Sequence, residues 1–206
     1  MRIGIIGPIG SGKSTLSKLL SEHYKVPMVA EPVEKNEFLP LFYEDMKTFA
    51  LLSQNAFYSS LFLLMWNSKH LKSCVFDSTL FSNLVFTELL RLDGTMSAYE
   101  VALTYAIADE HLKRLPDVDI HVVLRQTEDQ LFKNVKKRGR EMEKDQLDYL
   151  SFHYKNYYDV LDRIYKNYQV PEEKILYIDL GNIFDEFEFK RVLEVIETRY
   201  NELQKK

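Results

Sequence analysis

Gly7-Pro8-Ile9-Gly10-Ser11-Gly12-Lys13-Ser14 stands between a short apolar run, Arg2–Ile6, and a helical pattern over Lys13–Tyr24. It meets the spacing G-x-x-x-x-G-K-[ST] at every fixed position, in the strand–loop–helix context the pattern requires. Such glycines let backbone N–H groups close around phosphate oxygens, and the helix N-terminus adds positive potential. Gly7, Gly10, Ser11, Gly12 and Thr15 are expected to line the cradle, Lys13 to reach the β- and γ-phosphates and the Ser14 hydroxyl to hold Mg²⁺. ATP or GTP is the expected ligand. The motif does not say what receives the phosphoryl group.

The rest of the chain supplies a sheet for that loop. Short runs rich in β-branched residues recur at 27–30, 73–77, 120–124 and 175–178. Runs of this kind fit strands buried on both faces. Helical patterns separate them: 48–71, Leu80–Leu92, 98–115 (ended by Pro116), 127–138, 146–168 and 184–203. Alternation of this sort predicts an α/β fold with a five-stranded parallel sheet flanked by helices. The 206 residues form one expected domain, without a visible linker or repeat. A net charge of −4 makes a poor nucleic-acid binder. The longest apolar run, 61–66, is too short to cross a bilayer. A lone Cys74 excludes an intrachain disulfide, and the N-terminus carries no leader pattern, so a cytoplasmic location is expected.

In a parallel sheet, ligands lie at the carboxyl ends of the strands. The second strand ends at Glu31, which is either a base toward an attacking hydroxyl or a loop carboxylate facing solvent. The third ends at Asp77, placed either to hold Mg²⁺ with Ser14 or to cap the following helix. Gln54, Tyr58 and Leu61 share one helical stripe. A glutamine there can read a planar base by a bidentate contact, although such stripes are more often plain core. The chain has 13 Tyr and 13 Phe, of which Tyr43, Phe57, Tyr58 and Phe81 fall where rings would wall a flat base. The pattern over Leu80–Leu92 is apolar almost all round, fitting either a dimer contact or a central core helix.

Assembled in this order, the residues resemble the deoxyribonucleoside kinases, over nearly the whole chain. Glu31-Pro32-Val33 looks like the family's Glu-Pro-Val, which implies that Glu31 is the general base toward the sugar 5′-OH. Tyr43 and Gln54, eleven positions apart, match the family pair that meets the sugar 3′-OH and the base. Arg138-Gly139-Arg140, followed by Glu143, resembles the lid that closes over the ATP phosphates, here about 134–146. Asp148-Tyr149-Leu150 matches the start of the next helix. Asp179-Leu180-Gly181-Asn182-Ile183-Phe184 resembles the loop holding the adenine, which implies roles for Asn182 and Phe184.

The resemblance implies transfer of a phosphoryl group from ATP-Mg²⁺ to the 5′-OH of a deoxynucleoside, with deoxyadenosine or deoxyguanosine favoured, and a homodimer. Arginines expected from the family are replaced by Leu61, Ser78 and Asn134, and a partnering aspartate by Asn83. These losses agree with one another, since an unpaired buried carboxylate is costly. Lys133 or Lys137 is positioned to supply charge near Asn134. The alternatives are a weakened nucleotide-binding or regulatory partner, and a nucleoside monophosphate kinase, for which no acceptor-phosphate arginine cluster is visible beyond the lid.

Overall fold

A computed structural model describes residues 1–30, 33–143 and 146–205. Five strands, β1 (Arg2–Ile6), β2 (Met28–Ala30), β3 (Cys74–Asp77), β4 (Ile120–Arg125) and β5 (Ile175–Asp179), form one parallel sheet in the order β2-β3-β1-β4-β5. β1 lies at the centre, with Ile5 opposite Asp77 of β3 and Val122 of β4. Among the described residues, eight α-helices surround it: α1 (Lys13–Tyr24), α2 (Phe38–Glu44), α3 (Met46–Asn67), α4 (Leu80–Leu92), α5 (Ala98–Leu112), α6 (Glu128–Arg138), α7 (Leu147–Asn167) and α8 (Glu186–Gln204).

Period-two alternation sorts the strands' side chains between two cores. Ile3 and Ile5 pack with Leu16 and Leu20 of α1 and Val192 and Ile196 of α8. Ile6, Phe76 and Val123 face the other way, against Leu84 and Leu89 of α4 and Tyr157 and Leu161 of α7. A third cluster, around Leu39, Phe42, Leu90 and Met96, lies against α2 and the first turns of α3.

α4 is the hub of the second core. Leu80, Leu84, Val85 and Leu89 are wholly buried within this one chain. Within the chain, α4 is a central core helix, as one of the two expected readings had it; Leu92 at its end is exposed. Exposed large apolar side chains stand on α3 (Leu63, Trp66) and α5 (Tyr99, Leu103, Ile107), at the last residue of α4 (Leu92), and on α2, α7, α8 and the loop before α8 (Leu41, Leu147, Phe187, Phe184).

Some boundaries move for local reasons. α3 begins at Met46, two residues early, because the Asp45 carboxylate accepts from the Thr48 N–H and caps it. α5 stops at Leu112, short of the proline expected to end it. α2 was not predicted; it accommodates Pro40 in its first turn, where the missing N–H is harmless. α6 is bounded by the Thr127 cap and by Gly139 at φ 71°. Among the described residues, no helix is long and apolar enough to cross a membrane.

Candidate active site

β1 is the strand at which the sheet order reverses, and the loop leaving it is the glycine motif. Gly10 and Gly12 hold φ of 83° and 91°, a region L side chains rarely adopt. A Cβ on Gly10 would also stand 2.7 Å from the Leu131 carbonyl oxygen, so only glycine lets the loop lie against α6. Asn134 completes that junction. Its amide donates to the Gly10 carbonyl at 2.8 Å and accepts from Gln130 Nε2 at 2.8 Å. The residue that read as a missing lid arginine is thus the tie between lid helix and phosphate loop.

Two cavities open at the loop. The larger, about 730 Å³, is lined by Gly10, Ser11, Gly12, Lys13, Ser14 and Thr15 on one side. Asn134, Lys137 and Arg138 of α6 and Asn182 and Phe184 of the loop after β5 line the other. That second loop is braced. Gly181 N–H donates to the Glu188 carboxylate at 2.7 Å, and Arg191 grips both Glu188 and the Asp179 carbonyl. The Arg191 guanidinium, ahead of the Gly181 N–H, holds the Glu188 carboxyl down at about 2.

The smaller cavity, about 120 Å³, is reached from the other flank of Lys13 and Ser14. Tyr43, Gln54, Phe57 and Asn83 line it with Arg138, Arg140 and Glu143. Lys13, Ser14 and Arg138 belong to both cavities, so the two meet there. Lys13 Nζ donates to the carbonyls of Gly7 (2.8 Å) and Pro8 (3.1 Å), which holds the ammonium over its own loop.

Glu143 is buried, and both arginines answer it: Arg138 Nη2 donates to one oxygen and Arg140 Nη1, at 3.5 Å, to the other. A buried carboxylate needs such partners. Tyr43 lies within their field. Burial and then Glu143 push its hydroxyl above the usual tyrosine range, against the opposite pull of Arg138 and Arg140, so it is a neutral donor at pH 7. At the far end, Asn83 Nδ2 donates to both the backbone oxygen and Oε1 of Gln54, at 3.2 Å each. Asn83 Oδ1, buried beside it, has no partner among the described residues. Among the described residues, no ion pair or charged hydrogen-bond partner is recorded for this amide pair. Where an arginine–aspartate set was expected, the structure has two neutral amides.

Several expected site residues are elsewhere. Tyr58 and Leu61 follow Gln54 on the same stripe of α3, yet α3 passes from the cavity into the main core. Tyr58 OH meets His111 Nδ1 at 3.1 Å and Leu61 is 3% exposed in the α4 cluster. Phe81 is corrected in the same way: its ring packs edge-on against Tyr165 and Tyr168, away from both cavities. Arg140, expected on ATP, lines only the smaller cavity. Lys137 lines the larger cavity and Lys133 does not.

Asp77 and Ser78 line neither cavity. Asp77 is buried at the end of β3 and accepts from Ser17 Oγ at 3.4 Å rather than from Ser14. Ser78 turns the chain at φ 100°, and its hydroxyl has no hydrogen-bond partner among the described residues. Gly7 contributes its carbonyl to Lys13 and does not line the larger cavity. Glu31, and residues 144 and 145 of the lid, lie outside the described residues. Among the described residues no cluster of three or more His, Cys, Asp or Glu side chains is arranged to hold a metal.

Sequence reasoning missed other lining residues. Ser53, Phe86 and Tyr149 line the smaller cavity. Tyr149 was visible only as part of a helix-start motif. Ser53 precedes Gln54 and is bound through its oxygens to the Asn36 amide, a contact no spacing rule announces.

The deoxynucleoside kinase family profile matches residues 3–201. A deoxyguanosine kinase of Lactobacillus acidophilus is 33% identical over 171 residues, spanning 80% of this chain and 73% of the relative. A deoxyadenosine kinase of the same organism is 24% identical over 208 residues, spanning 98% of this chain and 97% of the relative. A solved deoxyadenosine kinase from M. mycoides, with dCMP and dCDP bound, superposes with a TM-score of 0.81 at 24% identity, over 96% of this chain and 100% of that one. At that identity the likeness speaks for the fold. The chain belongs to the deoxynucleoside kinase family.

Proposed function

We propose that the chain transfers the terminal phosphoryl group of ATP to the 5′-hydroxyl of a purine deoxynucleoside, deoxyadenosine or deoxyguanosine. One observation carries this reading: Lys13, Ser14 and Arg138 lie on the shared boundary of a phosphate-binding cavity and a smaller, aromatic-walled one. A phosphoryl group crossing that boundary passes between the residues suited to its charge. Positioning and charge stabilisation are most of what phosphoryl transfer requires. The purine kinases named among the relatives support the choice of base.

In this reading the larger cavity takes ATP, with its adenine at Asn182 and Phe184. The smaller takes the nucleoside, with the sugar 3′-OH at Tyr43 and Glu143 and the base beside Gln54, Asn83 and Phe57. Glu31 takes the 5′-OH proton. Segment 134–146 serves as the lid of a single domain, bringing Arg138 onto the phosphates. Ser14 and Asp77 are hard oxygen donors of the kind Mg²⁺ prefers. Asp77, with one long hydrogen bond, retains coordinating capacity. Bound there, Mg²⁺ supplies charge neutralisation to the phosphates.

A monophosphate kinase needs cations for the acceptor phosphate. The two arginines of the smaller cavity are both bonded to Glu143, which disfavours that alternative. The exposed apolar side chains of α3 and α5 support a homodimer joined along those helices: Tyr99, Leu103 and Ile107 form one stripe. The buried free Cys74 agrees with a cytoplasmic location.

The test is turnover with ATP-Mg²⁺ and each of the four deoxynucleosides and their monophosphates. The expected result is ADP formation dependent on deoxyadenosine or deoxyguanosine. Turnover with monophosphates alone, or with no acceptor, contradicts the proposal.

A further inference from the structure

A cavity of about 620 Å³ on the α4–α7 side of the sheet has no part in this reaction. It shares no lining residue with the two cavities that meet at Lys13. It is nearly as large as the proposed ATP cavity and is built from α4, α5, β4 and the turn after α7.

Its lining combines three chemistries. The first is polar and buried: His121 and Thr79 are 4% and 1% exposed, and among the described residues His121 Nδ1 and Thr79 Oγ1 have no hydrogen-bond partner. Buried atoms of this kind left unpaired are costly; the other ring nitrogen of His121 is not among the enclosed atoms. Burial first, and then the Lys174 charge, hold the His121 imidazole down at about 3. At pH 7 the ring is therefore neutral, with one nitrogen donating and the other accepting. The second chemistry is aromatic. Phe81 stands edge-on to His121 (centroids 5.6 Å apart) and to Tyr168 (5.8 Å), and the Asp109 carboxylate fixes Tyr168 OH at 2.7 Å. The third is cationic. Lys113 is engaged by Glu110 at 2.7 Å, whereas Lys174 makes no ion pair within 4 Å among the described residues.

We propose that this cavity is a second ligand site, for a flat heteroaromatic molecule carrying one anionic group. The ring lies against Phe81 and Tyr168, a ring nitrogen or hydroxyl meets the His121 imidazole at Nε2, and the anionic group meets Lys174. A polyphosphate does not suit it, because Asp109 and Asp117 in the same lining offset the two lysines. A nucleoside monophosphate and an aromatic carboxylate share the required chemistry, and the experiment separates them.

Histidine labelled with ¹³C gives His121 its own ring signal in NMR, assigned by its loss in His121→Phe. One arm titrates the full chain with indole-3-carboxylate. The other uses deoxyadenosine 5′-monophosphate on Lys13→Ala, which weakens its hold at the phosphate loop. The expected result is a saturable shift of the His121 signal with a Kd of about 1 mM or tighter for one probe, which names the source. Lys174→Glu then weakens that probe by about tenfold or more. If neither probe shifts His121 up to about 10 mM, or if Lys174→Glu leaves the Kd unchanged, the proposal is overturned. The readout is independent of turnover, so failure here is distinct from failure of the kinase reading.

Discussion

The two cavities that meet at Lys13 are built in opposite ways. The phosphate side is local: six consecutive residues, Gly10 to Thr15, supply one whole wall. The smaller cavity, the proposed nucleoside side, is assembled from the phosphate loop, α2, α3, α4, the segment after α6 and α7, and its chemistry depends on how those elements pack. A local wall can be changed with little effect on stability. An assembled wall cannot, because its residues also hold the elements together.

The largest effect expected from that contrast is on the local side. Lys13→Ala is expected to lower kcat by about 10³-fold, the scale of losing a preorganised charge donor, with a melting temperature within a degree or two of the parent, by steady-state kinetics and thermal melts. A large loss of stability would show that the cradle is not separable from the core.

The assembled side makes a sharper test, because Gln54 and Leu61 stand on one stripe of one helix with different duties. Leu61→Ala removes a buried side chain from the main core and is expected to cost about 2–5 kcal/mol of stability, with nucleoside KM nearly unchanged. Gln54→Leu is expected to raise nucleoside KM by about ten- to a hundredfold, from about 1–3 kcal/mol for a lost buried hydrogen-bond partner, at a smaller cost in stability. If both variants move the same quantity, the division drawn along α3 is wrong.

This is also where the sequence ran out. The phosphate loop, the five strands and the limits of α1 and α4 were legible because each depends on neighbours within a few residues. Gln54, Tyr58 and Leu61 share a face that periodicity reads correctly. Which part of that face meets the cavity and which meets α5 is set by the crossing of α3 over α4, and no period encodes that. Phe81 went astray for a different reason: it stands two residues from Asn83 on α4, about 200° round the helix, so the two line different cavities, as the helical period requires. Asn134 read as a loss because its partner, the Gly10 carbonyl, is 124 residues away.

A smaller effect concerns the buried histidines. The folded His121 titrates near 3, while an unfolded one titrates near 6.5. Below about 6.5 the unfolded chain takes up a proton that the folded chain refuses, so stability present at pH 7 is lost as pH falls toward 3. The slope from this residue is at most about 1.4 kcal/mol per pH unit. His153, pushed down by burial against the pull of Asp93, adds in the same sense. Melting temperature against pH is expected to be flatter in His121→Phe than in the parent between pH 6.5 and 4; parallel curves would contradict this.

The smallest effect is at the junction with the lid. Asn134→Ala removes the bond to Gly10 and is expected to cost about 0.5–1.5 kcal/mol. It should appear as a severalfold rise in the KM for ATP with kcat little changed.

The central claim is that the two cavities meet at Lys13, Ser14 and Arg138. A bisubstrate compound, adenosine joined through a phosphate chain to the 5′ position of a deoxynucleoside, spans both. Calorimetry against ATP and the deoxynucleoside separately tests it directly. The account predicts binding at least about 10²-fold tighter than either ligand alone, lost in Gln54→Leu as well as in Lys13→Ala. Binding no tighter than ATP alone, and indifferent to Gln54→Leu, would contradict it.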